Sequence, residues 1–242
     1  MYEGYCNGAI MKPITDEIKY YIQYGIEERD WEFKPALSWS KDQRKEKFEI
    51  IKTTIALSNN INGGIILFGI SQRRDRSEGT KFDRTGLSTA QYNSFDNNDD
   101  DIGRFFIGKT NHELRFELLG GIVSIANEDK KFIALKVYES QTAIPIVCAV
   151  DHDDRDPRCR LKKGALYIRS SAKPVESREI RTNEEWDELI LRLLERKEKI
   201  IHRDLMALLS NVTISKKKQI ILKLSTKNES EKYEKYLKRD KL

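Results

Sequence analysis

The chain has 242 residues, of which 38% are hydrophobic and 34% are charged, and its formal net charge is +5. This length suits one large domain, or one domain with an appendage, that encloses a hydrophobic core. No apolar run approaches the ~20 residues of a membrane span, and three cysteines without a C-x-x-C pair argue against a disulfide scaffold or a cysteine-based zinc site. We therefore expect a cytoplasmic protein that has no contact with membranes.

In the first half of the chain, the pattern predicts two long helices, two strands and a polar loop. Thr15 and Asp16 favour the start of the first helix, and Gly25 favours its end. Residues 29–34 alternate in the manner of a strand. The remaining elements are a helix over 41–60, a buried strand over 65–70, and a polar loop over 71–101 that contains one short helix near 88–94.

The second half is predicted to be richer in strands. Three strand-like runs cover Glu113–Leu119, Ile122–Ala126 and Phe132–Tyr138, and a further pair covers Ile144–Val150 and Ala165–Arg169. An amphipathic helix follows from Asn183 to about Lys199. This order predicts an α+β fold with a mixed β-sheet flanked by helices, and a small C-terminal helical appendage.

Basic residues are concentrated near the C-terminus. Residues 191–242 hold 15 basic and 7 acidic side chains, a net charge of +8, which leaves −3 for residues 1–190. We predict one domain over residues 1–199 and a basic helical appendage over residues 200–242. The appendage, which includes Lys216–Lys218, is interpreted either as an arm that attracts phosphates or as a solvated helical face neutralised by i,i+4 ion pairs.

Three segments carry a recognisable motif. They are Glu27–Lys34 (EERDWEFK), Asn62–Ile70 (NGGIILFGI) and Tyr167–Ser171 (YIRSS), with a predicted helix between the first two. In this order they resemble the Schlafen-type AlbA domain, whose bacterial members read roughly E-S-x-x-x-E-F-K, then A-x-A-N-x-x-G-G-x-L-x-I-G-V-x-D, then Y-x-R-x-G-S-S. The resemblance covers about residues 14–195, and the ordered set of three motifs is far more specific than E-F-K alone.

The resemblance implies nucleic-acid binding, with RNA favoured over DNA. Several members of the family are metal-dependent endoribonucleases that cut structured RNA such as tRNA. The resemblance therefore also implies this activity here, with Mg²⁺ or Mn²⁺ as the cofactor. The two glutamates of the family's active site map onto Glu27 and Glu32. Its aspartate maps onto Ser71, or onto Gln72 if the second acid is meant, so the expected acid is missing. A third metal ligand would then be Asp75, Asp83 or water.

The spacing of the two glutamates limits this hypothesis. Side chains five residues apart on a straight strand point to opposite faces and lie roughly 17 Å apart along the axis. Glu27 and Glu32 can therefore share a cation only if the chain bends between them. An alternative is an acidic face made of Glu28, Asp30 and Glu32, which alternate and would line one side of an extended strand.

Several basic and hydroxyl side chains accompany the acids. Lys34 is predicted to lie on the same side as Glu32 and to neutralise a phosphate during catalysis, or else to serve as an ion-pair partner of Glu32. Candidates for contacts with the sugar-phosphate backbone, each of which could also be an ordinary surface residue, are Lys52, Lys162, Lys163, Arg169 and Ser170.

Three hypotheses of function follow. The first is a metal-dependent nuclease with Glu27, Glu32 and Lys34 as catalytic residues and Glu27, Glu32 and Asp75 as metal ligands. The second is a catalytically silent protein that binds DNA or RNA, because Ser71 replaces the expected acid. The third is an assembly subunit whose basic tail and 183–199 helix dock a partner such as an ATPase in anti-phage defence, because chains of this kind resemble proteins of defence islands. A homo-oligomer is the alternative form of assembly.

Overall fold

The computed structural model describes residues 11–39, 44–75, 79–95, 102–142, 144–170 and 175–210. Five helices are present in these ranges: α1 (Asp16–Tyr24), α2 (Arg44–Ser58), α3 (Thr89–Ser94), α4 (Ile102–Phe106) and α5 (Asn183–Ser210). The nine strands of the same ranges are β1 (Lys12–Pro13), β2 (Trp31–Lys34), β3 (Gly64–Phe68), β4 (Ser71–Asp75), β5 (Gly79–Asp83), β6 (Phe116–Ile125), β7 (Glu128–Val137), β8 (Tyr167–Arg169) and β9 (Ser177–Glu179).

A five-stranded sheet organises the fold, with the strand order β1-β6-β7-β3-β2. β2 runs parallel to β3 and β1 parallel to β6, whereas β7 is antiparallel to both of its neighbours. Two separate hairpins, β4–β5 and β8–β9, complete the set of strands in the described residues. The predicted α+β fold with a mixed sheet is confirmed.

The two faces of the sheet bury different clusters of apolar side chains. In β3, Ile66 and Phe68 join the cluster that contains the side chains of α2, whereas Ile65 and Leu67 join the cluster that contains those of α1. β2 alternates in the same way, because Trp31 and Phe33 lie in the α1 cluster. Its two polar residues therefore face the side of the sheet on which α2 packs.

The caps that the sequence suggested are present at the short helices. The hydroxyl of Thr15 accepts a hydrogen bond from Ile18 N, and the N–H of Gly25 donates to the carbonyl of Tyr21, so α1 begins and ends where predicted. Ser88 caps α3 together with Gln91 in a capping box, which confirms the short helix near 88–94.

Several boundaries differ from the prediction. The two strands expected over Glu113–Leu119 and Ile122–Ala126 are one strand, β6, and the turn to β7 is formed by Ala126 and Asn127, both with positive φ. The loop expected over 71–101 contains the β4–β5 hairpin. Residues 144–150 form no strand. Cys148 N donates instead to the carbonyl of Ala165, and β8 pairs with β9.

The chain divides into two compact units, residues 1–193 and residues 194–242. Helix α5 contains the point of division and continues to Ser210, beyond the predicted end near Lys199. The boundary predicted at residue 199 stays a prediction, and the basic segment at 216–218 lies outside the described residues. Within the described ranges, none of the helices has the length and hydropathy of a membrane-spanning segment.

Candidate active site

A tight turn precedes β2 and brings two glutamates together. The N–H of Trp31 donates to the carbonyl of Glu28 at 3.2 Å, so the chain reverses over residues 28–31. The carboxylate of Glu27 then accepts a hydrogen bond from Phe33 N at 3.2 Å, and it lies near enough to Glu32 for the two carboxyl groups to interact electrostatically. The bend that a shared cation requires is therefore present, although the two residues are five positions apart.

The alternative acidic face does not form. β2 begins only at Trp31, and residues 29 and 30 belong to the turn. Glu28, Asp30 and Glu32 therefore do not alternate along an extended strand, and that hypothesis is wrong. We refer to Glu27 and Glu32 as the acid pair.

Glu32 is buried and its carboxylate is held by two cations. Its side chain accepts hydrogen bonds from Lys34 Nζ and from Arg169 Nη1. Burial alone raises the pKa of Glu32, but the charges of Lys34 and Arg169 outweigh that effect and keep the pKa below its usual range. Glu32 is therefore ionised near neutral pH.

Glu27 behaves in the opposite way. Burial raises the pKa of its carboxyl group to about 7, and the negative charge of Glu32 adds to the effect. The hydrogen bond from Phe33 N opposes this rise, since it favours the charged form. Near pH 7 the carboxyl group of Glu27 is therefore close to the midpoint of its titration, whereas Glu32 is ionised.

Lys34 links the acid pair to helix α2. Its ammonium group donates to Glu32 and, at 2.8 Å, to Glu49. Burial lowers the pKa of Lys34, but the charges of the two glutamates outweigh it, so the pKa lies above the usual value and the lysine stays charged. Sequence analysis did not find Glu49, because nothing in the linear pattern of α2 distinguishes it from a solvated helical residue.

Arg169 lies at the bottom of the site and is fully buried. Besides Glu32, its guanidinium donates to the carbonyls of Arg29, Glu28 and Trp31, each at 3.2 Å. These bonds fasten the 28–31 turn to β8. A contact between Arg169 and a nucleic-acid backbone would require this side chain to leave Glu32.

The other predicted binding residues are spread over a wider region. Lys52 is buried and its Nζ donates to the carbonyl of Pro157 at 2.6 Å, while burial lowers its pKa. Ser170 is also buried, and its hydroxyl accepts from Glu176 N at 3.0 Å. Lys162 and Lys163 are exposed on the loop that precedes β8. The structure thus brings Glu27, Glu32, Lys34 and Arg169 together, and it leaves Lys162 and Lys163 on the surface.

No third acid joins the pair in the part of the chain that the structure describes. There, no group of three or more His, Cys, Asp or Glu side chains is placed to hold a metal ion. Ser71 and Gln72 begin β4, and Asp83 is exposed at the end of β5. Asp75 ends β4, but its side chain lies outside the described residues.

The donor chemistry of the acid pair suits one hydrated divalent cation. Mg²⁺ prefers oxygen ligands, retains several waters and often uses only one or two carboxylates of the protein. A cation beside Glu27 and Glu32 would relieve the repulsion that raises the pKa of Glu27. Lys34 and Arg169 already neutralise part of this charge, so the arrangement fits a single ion.

Fold and site together define an α+β domain whose carboxylate pair has one member on the outer strand of a mixed sheet and the other before the turn that leads into that strand. The sequence model of the family "Schlafen, AlbA_2" matches residues 27–176, which is more than half of the chain. The protein therefore belongs to the Schlafen AlbA_2 family, and the resemblance inferred from the three motifs is confirmed.

Two solved structures are similar to parts of the chain. One is the N-terminal domain of a RecG-related protein from Nitrosomonas europaea, with 21% identity, a TM-score of 0.39, and coverage of 63% of this chain and 96% of that one. The other is the DIP2311 protein from Corynebacterium diphtheriae, with 11% identity, a TM-score of 0.36, and coverage of 66% of this chain and 23% of that one. The comparison with curated proteins gave no match.

Proposed function

We propose that this protein binds nucleic acid and is a metal-dependent endoribonuclease whose active site is the acid pair. The observation that carries the proposal is the turn at residues 28–31, which places Glu27 against the backbone of β2 and within electrostatic reach of Glu32 despite their odd spacing. One of these two neighbouring carboxyl groups has its pKa raised to about 7. Carboxyl groups with strongly shifted pKa values are found mainly at functional sites.

In this proposal, two residues of the site bind the metal and three others hold the metal ligands in position. Glu27 and Glu32 would hold Mg²⁺ or Mn²⁺, which supplies positive charge for a phosphodiester and a water of lowered pKa. Lys34 and Arg169 fix the position of Glu32, and Glu49 holds Lys34. Because the pKa of Glu27 is about 7 when no cation is bound, a cation that binds there would displace its proton.

The test is cleavage by the purified full chain. tRNA and single-stranded DNA are incubated with Mn²⁺, with Mg²⁺ and with EDTA, using wild type, Glu27→Gln and Glu32→Gln, and the exposed Glu113→Gln as the matched control. We expect cleavage of the RNA that EDTA abolishes and that either substitution in the acid pair lowers by about 100-fold or more. RNA left intact by wild type in both metals, or cut equally by Glu32→Gln, would show that the nuclease proposal is wrong.

A second candidate function is binding without cleavage. It is favoured by the ion pairs of Glu32 with Lys34 and Arg169 and by the absence of an acid at Ser71 and Gln72. This function predicts binding that weakens with salt and is unchanged by Glu27→Gln in the presence of EDTA. Cleavage that depends on Glu27 would rule it out. Homo-oligomers and a partner protein such as an ATPase remain predictions, and light scattering of the full chain tests the first of them.

A further inference from the structure

The loop between residues 151 and 163, here called the charged loop, is held firmly against helix α2. Lys52 on α2 donates to the carbonyl of Pro157 at 2.6 Å. Lys45 at the start of α2 lies 3.5 Å from Asp154 and 3.7 Å from Asp156. At the base of the loop, His152 and Leu161 form a backbone bridge with N···O distances of 2.9 and 2.8 Å. The loop therefore has a defined conformation before any ligand arrives.

Within the charged loop, two partly buried acids accept hydrogen bonds from the loop's own backbone. Asp154 accepts a hydrogen bond from Asp156 N at 2.8 Å, and Asp156 accepts one from Arg158 N at 3.0 Å. Their side chains are only 22% and 18% exposed. These are the turn-forming bonds that aspartates make with nearby N–H groups, so both carboxylates face inward.

The cations of the same loop face outward. The side chains of Arg158, Arg160 and Lys162 are 72%, 54% and 70% exposed. Nε and Nη2 of Arg158 donate hydrogen bonds to Asp156. A guanidinium has five N–H donors, so the two N–H groups on Nη1 of Arg158 can bind another acceptor. The exposed acids of the loop are Asp151 and Asp153. Asp151 accepts a hydrogen bond from Lys163 N at 2.9 Å, and Asp153 lies 3.1 Å from Arg160.

The charged loop adjoins the acid pair through α2. Arg158 interacts electrostatically with Glu49, and Glu49 accepts a hydrogen bond from Lys34 at 2.8 Å. Lys34 in turn binds Glu32. Helix α2 therefore contacts the charged loop through Lys45 and Lys52 and contacts Lys34 of the site through Glu49, which lies between them in the sequence.

We propose that the charged loop is a preformed phosphate-binding arm, on which Arg158 and Arg160 hold the backbone of a nucleic-acid strand beside the acid pair. The inference rests on the proposed function and adds to it the residues that position the substrate. Guanidinium groups match phosphate geometry better than ammonium groups do. Contacts to phosphates fix the register of a strand without reading its sequence, as expected for an arm set to one side of a catalytic site.

The test measures binding rather than cleavage. A labelled single-stranded RNA is titrated with the full-length protein in EDTA, so that the metal-dependent step is absent, at salt concentrations from about 50 to 200 mM. The variant is Arg158→Ala/Arg160→Ala. The control is Arg104→Ala/Arg115→Ala, which removes the same charge from two exposed arginines outside the loop.

We expect the loop variant to bind more weakly, with the slope of log K against log salt reduced by about 1 to 1.4, because each lost phosphate contact on a single strand accounts for about 0.7. The control variant keeps the wild-type slope. If the loop variant and the control behave alike, the inference is wrong even where the RNA is cut. If the loop variant alone loses binding and no RNA is cut, the inference holds and the nuclease proposal fails. If wild type binds no RNA in EDTA, the inference is wrong, and the cleavage assay with metal decides the nuclease proposal separately.

Discussion

At Glu27, burial and the charge of Glu32 act on the same carboxyl group in the same direction. In the unfolded chain this group titrates near its usual pKa of 4.5, whereas in the folded protein its pKa is about 7. Between these two values the folded state binds the additional proton. The free energy of unfolding contributed by Glu27 therefore falls as the pH rises through this window, and it levels off above pH 7.

This dependence gives a testable prediction for Glu27→Gln. The amide carries no charge, so we expect the variant to be more stable than wild type at about pH 8 by about 1–3 kcal/mol, a range that allows for the partial exposure of Glu27. The advantage should shrink towards pH 5. Urea unfolding at about pH 5, 6 and 8 measures it. A difference between the two proteins that stays constant with pH would contradict the assignment of the raised pKa to Glu27.

A second prediction concerns Arg169, which is fully buried. Arg169→Met leaves Glu32 without one of its two cations and removes the guanidinium donor from the carbonyls of Glu28 and Trp31. We expect a loss of about 3–5 kcal/mol of stability, as for other broken buried ion pairs. The exposed Arg115→Met should change stability by no more than about 0.5 kcal/mol.

A double variant separates the ion pair from the other contacts of Arg169. Adding Glu32→Gln to Arg169→Met removes the uncompensated charge, so the double variant should lose less stability than the sum of the single variants. Denaturant unfolding of all four proteins measures this coupling. If the stability losses of the two single variants add up to that of the double variant, Arg169 stabilises the protein through the turn and not through its ion pair with Glu32.

Sequence analysis reached the residues of the site but not all of their partners. The position of Glu27, Glu32 and Lys34 follows from one short motif. Arg169 was interpreted as a contact for nucleic acid because a linear pattern does not reveal which carboxylate lies beside it, and Glu32 is 137 positions away. The link between Lys34 and Glu49 was missed for the same reason, since it depends on how α2 packs on the sheet.

At the scale of elements, the ends of α1 and the start of α3 could be predicted from their capping residues. The role of the two glycines within β6 could not. Gly120 and Gly121 resemble a turn between two strands, but they lie inside a continuous one. A Cβ at Gly120 would lie 2.2 Å from the sulfur of Met11, and one at Gly121 would lie 2.7 Å from Cγ1 of Ile14. Here glycine is needed because neighbouring residues pack directly on the strand.

The turn between α2 and β3 provides a third prediction. Gly63 has φ +75°, and a Cβ there would lie 2.0 Å from the carbonyl oxygen of Val137. Gly108 has nearly the same φ, +71°, with no atom of the described residues within 4 Å of such a Cβ. We expect Gly108→Ala to cost about 1–2 kcal/mol for backbone strain, and Gly63→Ala to cost about 2–5 kcal/mol because a clash is added. Equal losses in urea unfolding would contradict this account of the turn.

At the scale of the whole molecule, charge is distributed unevenly along the sequence. Residues 211–242 carry ten basic and four acidic side chains. The net charge of this segment, +6, exceeds the net charge of the whole chain, +5. Because counterion release depends on how many cations meet phosphates, a basic segment of this kind adds affinity without adding specificity.

The fourth prediction tests this segment in the full chain. Lys216→Gln/Lys217→Gln/Lys218→Gln should weaken binding to RNA in EDTA and lower the salt slope by about 1 to 2. Lys19→Gln/Lys81→Gln/Lys130→Gln removes the same charge from the first unit and should leave the slope unchanged. The same decrease in both variants would mean that only the overall charge matters, and no decrease would favour the interpretation of the segment as a solvated helical face.

The hydrogen bonds around β2 have a consequence for self-association. β2 is the outermost strand at one end of the sheet, and such strands invite pairing with strands of other molecules unless their polar groups are covered. Here the carboxylate of Glu27 takes the N–H of Phe33, and Arg169 takes the carbonyl of Trp31. Glu27 and Arg169 thus cover outward-facing polar groups of this edge strand, so a variant that loses both side chains would be prone to aggregate.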